Sequence, residues 1–216
     1  MGFPVYSYRT DIRNVLVTPQ IRARFLKIEP GPMGEGHSHD LGHEIFLVLQ
    51  GKAEFEIDGE RDPLEPGQMC VALTDQTHAV RAVGPEPVIM YLSVTPHIQP
   101  THTMWDEHGK RGPHRFVGSE SYDTEIERSV TNDQVVHRYL DALGATSEAA
   151  QKADAAGADV TRRLKTAIDE GDSAAIEEAR NVLWDSLSPV YERVAEMADI
   201  WNDLAARTVE ACQHDH

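Results

Sequence analysis

The stretch GPMGEGHSHDLGHEIFLVLQG, residues 31–51, crowds His37, His39, His43 and Glu44 against an apolar run. On a strand, side chains alternate between faces, so His37 and His39 point the same way and both imidazoles can reach one ion. Asp40-Leu41-Gly42 allows a bend that returns Glu44 to the same interior. A fourth ligand must come from elsewhere, and His78 stands at the start of a later strand. Three imidazoles and a carboxylate are borderline donors that suit a divalent transition metal (Fe, Mn, Ni, Zn, Co or Cu), with positions left for water or substrate. A histidine-rich surface loop holding no ion is the other reading of these residues. His43 adjoins Glu44 and is expected on the opposite face, outside the ligand set.

These residues need strands to hold them, and the first half of the chain supplies the pattern. RARFLKI (22–28) alternates charged and apolar residues as a half-buried strand does, and EIFLVLQ (44–50) is a continuous apolar strand. KAEFEIDGERDPL alternates again, with Asp58-Gly59 a strong two-residue hairpin turn. QMCVAL, HAVRAV and VIMYLSV follow at short intervals. Several short strands separated by tight turns predict a small barrel or sandwich. Cys70, inside the third apolar run, reads as a small buried hydrophobe.

The grammar changes near Gly118. Of 12 prolines and 15 glycines, only Pro189, Gly144, Gly157 and Gly171 lie beyond it, and that half carries 21 Asp/Glu against 9 Lys/Arg. Apolar residues there recur at helical spacing: Val136, Tyr139, Leu140 and Leu143, then Val160, Leu164, Ala167 and Ile168, then Val190, Val194, Met197, Ile200 (or Trp201) and Leu204. Ser147, Asp172 and Ser188-Pro189 are read as helix starts, giving three or four antiparallel helices. The fold class expected is α+β, with a barrel at 1–118, including a connector, and a helical region at 119–216. The connector, 96–116, holds His97, His102, His108, His114 and Trp105, and reads as a linker packed on the barrel, a lid or a second metal site.

A net charge of −16 argues against nucleic acid and anionic membranes as partners and favours cationic or neutral ones at long range. No apolar run approaches the roughly 20 residues that span a bilayer, and the start lacks the pattern of a signal peptide. Two distant cysteines form no disulfide framework, so a reducing cytoplasm is expected. The apolar stripes of the last helix, with Trp184 and Trp201, predict a homodimer.

The histidine-rich stretch resembles the first motif of the cupins, G-x5-H-x-H-x(3 or 4)-E-x6-G, at Gly31, His37, His39, Glu44 and Gly51. The second motif, G-x5-P-x-G-x2-H-x3-N, keeps Gly67 and His78 in register but has Leu73, Asp75 and Ala82 at its proline, glycine and asparagine. Asp tolerates the left-handed turn that glycine favours. The resemblance covers residues 15–96. It implies a double-stranded β-helix (jelly-roll) barrel with His37, His39, Glu44 and His78 as metal ligands inside it. Phe46, Val48 and Val80 would line the same cavity or pack the core. It also implies a small-molecule substrate and, foremost, an Fe(II)-type dioxygenase. A non-catalytic ligand sensor and a metal-dependent isomerase or lyase are the other readings. No acid–base pair stands out; Tyr91 and His102 are noted only for their nearness in sequence.

Overall fold

The computed structural model describes residues 2–106 and 108–213. Among these residues, ten strands form two antiparallel sheets. Strands β1 (Asn14–Val17), β2 (Arg22–Ile28), β4 (His43–Gln50), β7 (Met69–Ala72) and β9 (Val88–Thr95) make one, in the order β1-β2-β9-β4-β7. Strands β3 (His37–Ser38), β5 (Ala53–Ile57), β6 (Glu60–Leu64), β8 (His78–Ala82) and β10 (Thr103–Met104) make the other, in the order β10-β3-β8-β5-β6. Two long helices, α1 (Asn132–Glu170) and α2 (Ser173–Gln213), follow, so the α+β class holds. By their contacts the residues up to Glu127 and those from Ala205 form one unit, and Arg128–Leu204 another.

In the barrel unit the core comprises Phe46, Val48, Phe55, Leu64, Met90 and Leu92 with their neighbours, all buried. Alternation on β4 puts Glu44, Phe46 and Val48 inside, each under 5% exposed, while Ile45 and Leu47 are more open. The predicted hairpin joins β5 to β6: Asp58 and Gly59 take φ of 50° and 82°, both positive as its two-residue turn requires. Asp75 holds φ 65°, and its N–H donates to the His39 carbonyl at 2.9 Å. The left-handed turn of the second motif is therefore kept without its glycine.

The strand read at 22–28 is present, but its arginines turn inward. Arg22, Arg24, Leu26 and Ile28 line the interior, and Arg22 is 5% exposed. Register fixes this: Arg22 lies opposite Val94, which lies opposite Glu44, so all three share one row across the sheet. Tyr91 pairs with Phe25 and Leu47 on the alternate rows, which removes it from the site.

The helical unit has two helices in place of the three or four expected. Thr131 and Gln134 form a reciprocal capping box for α1, and Gly171 ends it at φ 70°. Asp172 caps α2 through the Ala174 and Ala175 N–H groups at 3.1 Å. Ser147 lies inside α1 and Pro189 inside α2. An interior proline costs roughly 3 kcal/mol, and antiparallel contacts on both sides carry α2 through it. Arg163 meets Glu178 before the proline, and Thr146 meets the Arg193 carbonyl and Tyr139 meets Trp201 after it. The least exposed seam of α1 runs through the buried Val135 and Ala142 and the half-buried Tyr139, Thr146 and Ala149, the alternating four-and-three spacing of a coiled coil. It sits one residue off the broad stripe expected, and Val136, Leu140 and Leu143 are exposed. No helix among the described residues is long and apolar enough to cross a membrane.

Candidate metal centre

Both sheets contribute to one cluster. His37 on β3 and His78 on β8 are direct cross-strand partners, His39 follows β3, and Glu44 reaches in from β4 of the other sheet. One potential ligand atom from each of the four lies within 4.8 Å of all the others. Donors held about 2.0–2.2 Å from one ion stand at most about 4.4 Å apart, so the cluster nearly has the dimensions of a coordination sphere. His39, Glu44 and His78 are buried and His37 is half-buried.

The imidazoles are oriented as well as gathered. Nδ1–H of His39 donates to the Thr101 carbonyl, that of His78 to the Gln76 carbonyl at 2.9 Å, and that of His37 to the Glu35 carbonyl at 3.4 Å. A ring whose Nδ1–H is engaged offers Nε2 to the next partner, as a lone pair to an ion or, when the ring is protonated, as an N–H to a carboxylate. All three Nε2 atoms face the same carboxylate oxygen: His39 at 2.8 Å, His78 at 2.9 Å and His37 at 4.0 Å from Glu44 Oε2. This donor set fits a divalent transition metal.

Titration follows the same geometry. Burial opposes the Glu44 charge, but hydrogen bonds from His39 and His78 and their charges hold it well below the usual carboxylate range. Burial also opposes charge on His78, yet the hydrogen bond and charge of Glu44 outweigh it and the pKa is raised. His37 goes the other way: burial, then the charge of His78, pulls it down to about 4. It is neutral at neutral pH, the form that can bind an ion.

The cluster opens on a cavity of about 510 Å³ lined by Phe46 and Val80 among others, whereas Val48 is sealed in the core. His43 faces outward, where its Nδ1 accepts the Thr74 N–H at 3.0 Å. Cys70 is half-buried, and burial pushes its thiol up to about 12, so it stays protonated.

Part of the site comes from the connector. Strand β10 pairs with β3, and Trp105 Nε1–H donates to Ser38 Oγ at 3.0 Å. This puts His102 over the cluster, its ring centroid 4.7 Å from that of His37 and 5.0 Å from that of His39. Burial, then the charges of His37 and His39, lowers its pKa to about 2, so it is a neutral group. Thr101 braces both sides: its carbonyl holds His39, and its Oγ1 lies 2.8 Å from His102 Nδ1 and 2.8 Å from the Tyr122 hydroxyl. The alternating THTMW run was the available signal for a strand here; its pairing partner lies far back in the chain.

A family model described as a cupin domain matches residues 24–95. A polyketide synthase protein, CurC of Streptomyces cyaneus, is 31% identical over 91 residues, which are 40% of this chain and 59% of that one. The chain thus spans about three fifths of the length of this curated relative. A double-stranded β-helix protein from Klebsiella pneumoniae is 23% identical, with 49% of this chain and 100% of that one covered and a TM-score of 0.44. KdgF from a Halomonas species is 31% identical, with 40% and 78% covered and a TM-score of 0.37.

Proposed function

With residues 24–95 a cupin domain, we propose that this chain binds a divalent metal through His37, His39, Glu44 and His78 and converts a small molecule in the adjoining cavity, most specifically as an Fe(II)-type dioxygenase. One observation carries the reading: three Nε2 atoms converge on one buried carboxylate, each ring tied back through Nδ1 to a backbone carbonyl, at the wall of a cavity of about 510 Å³. When bound, such an ion supplies Lewis acidity and, as Fe(II), the electrons for reaction with O₂. The chain's own residues fix the ligands, keep His37 neutral, and hold the reactant against Phe46 and Val80 away from bulk water. His102 closes one side of the cavity without charge.

Protein loaded with Fe(II) without oxygen and then given O₂ should consume it in the presence of a member of a small organic acid panel. His78→Ala should not. Turnover that persists when oxygen is excluded would replace oxygenation by isomerase or lyase chemistry. Metal binding with no turnover of any panel member would leave a ligand-sensing module.

We also propose that the helical unit pairs two copies of the chain. Leu140, Ile168, Trp184, Leu187 and Tyr191 are each more than 40% exposed on that unit, with Trp184 stacked on Tyr191. So much exposed apolar surface is characteristic of an interface. Light scattering at micromolar concentration should give about twice the chain mass; a value near 24.1 kDa would refute the pairing.

A further inference from the structure

The chain as a whole is strongly acidic, yet its cavity is walled by arginines. Arg22, Arg24 and Arg115 line it, and among the described residues its acidic lining is Glu44 and the exposed Glu35. Arg22 and Arg24 stand two apart on β2, on the same face, and thus roughly 7 Å apart along the strand. The buried Arg22 and the half-buried Arg24, so placed, repel each other. Each also keeps a buried Nε–H with no hydrogen-bond partner among the described residues. An unsatisfied buried donor is costly, the more so when charged.

The groups around these arginines do not discharge them. The nearest carboxylate oxygen to Arg22 is that of Glu44 at 3.8 Å, an ion pair beyond hydrogen-bond length, and Glu44 is shared with His39 and His78. Tyr122 supports Arg22 from one side, its ring centre 5.5 Å from the guanidinium carbon, which fixes the group without satisfying its N–H. Asp123 attracts Arg24, but its Oδ2 accepts both the backbone and side-chain N–H of Asn14. Arg115 is exposed and sits beside His102 through an isolated backbone bridge, at the connector side of the cavity. Beyond the arginines on the same strand face come Leu26 and Ile28, with Phe46 and Val80 across the cavity.

We propose that the ligand of this cavity is a small organic carboxylate, its acid group held by Arg22 and Arg24 next to the metal cluster and its hydrocarbon body laid against Leu26, Ile28 and Phe46. This rests on the cavity being the substrate site, and it names the substrate class. A guanidinium fork matches a planar carboxylate in two parallel hydrogen bonds, which supplies the partners the Nε–H groups lack. The apolar end of the cavity selects an acid with a carbon chain or ring over an inorganic anion.

The test uses the full chain and calorimetric titration with hexanoate and benzoate, each against its amide, and with inorganic phosphate. It is run on chelator-treated and on metal-loaded protein, with metal content measured separately. At least one acid should bind about tenfold or more tightly than its amide and than phosphate, and the preference should persist without metal. Arg24→Gln should weaken that acid about tenfold or more while leaving the amide and the metal content unchanged. Arg115→Gln, at an exposed position, should weaken it less, and a folded Arg115 variant keeps the comparison open if Arg24→Gln is unstable. Amides binding as well as acids in the wild-type chain would overturn the proposal, as would phosphate binding as tightly as the acids. So would a preference that appears only with metal and ignores Arg24→Gln. Absence of metal binding with the acid preference intact would overturn the metal reading alone.

Discussion

Glu44→Gln should lose bound metal while His43→Gln keeps it. The two residues are neighbours, but β4 sends them to opposite faces: Glu44 is 3% exposed inside the barrel, and His43 is exposed and bonded to Thr74. The amide is nearly the same size as the carboxylate, so packing survives and the loss isolates charge. It removes the anion on which three imidazoles converge and leaves the buried Arg22 without its closest counter-charge. Outer partners of metal ligands alone are worth about 10–100-fold in affinity, so loss of a direct ligand should cost roughly 100-fold or more. Competition with a chromophoric chelator would measure it. A Glu44→Gln protein with wild-type affinity would end the assignment. The same titration against pH separates the histidines. Metal and proton compete for the same nitrogen, so affinity falls as pH falls. His78, raised above its ordinary value by Glu44, competes at higher pH than His37, which takes a proton only near pH 4.

Gly51→Ala should unfold the barrel more easily than any comparable surface change. Gly51 holds φ 76°, and a Cβ there would sit 2.5 Å from the Pro87 carbonyl oxygen and 3.0 Å from the Val88 Cα. The left-handed backbone alone costs a residue with a Cβ about 1–2 kcal/mol. The overlap is with backbone at the start of β9, which cannot rotate away, and adds about 1–3 kcal/mol. Gly59→Ala is the control. It shares the positive φ, 82°, but meets nothing within 4 Å, so it should lose only the about 1–2 kcal/mol of the backbone term. Urea denaturation of both variants reads the difference directly; equal losses would mean that the strand junction at Pro87 gives way.

Gly51 also marks how much could be read before the fold was known. The interval from Gly31 to Gly51 carries its own geometry: period two places His37 with His39, and the same period separates His43 from Glu44. Those are local rules, and they apply wherever the strand is placed. His78 needed the second motif, whose glycine is replaced by Asp75, yet Asp75 adopts the turn that the glycine would have made. What stayed hidden depends on partners distant in sequence. The inward face of Arg22 and Arg24 follows from register against β9, and alternation by itself favours the opposite face. His102 reaches the cluster because β10 adds to β3. In the helices, Ser188-Pro189 looks like a start because its chemistry is local, while the contacts that continue α2 through it come from α1.

The barrel unit draws on two stretches of the chain separated by the helical hairpin. The stretch 118–127, which carries the Tyr122 hydroxyl that steadies Thr101, is met by residues from the far end of α2: Ser119 donates to Glu210 at 2.7 Å, and Arg207 donates to the Glu127 carbonyl at 3.0 Å. During synthesis, at roughly 5–20 residues per second, the ten strands leave the ribosome as one uninterrupted run and can collapse with their ligands in place. The contacts that steady the strap behind Thr101 wait until the whole of 128–204 has been made. Assembly of the histidine cluster and final tightening of the site are therefore separable in time on the nascent chain, with the cluster gathered early and its outer brace fastened last.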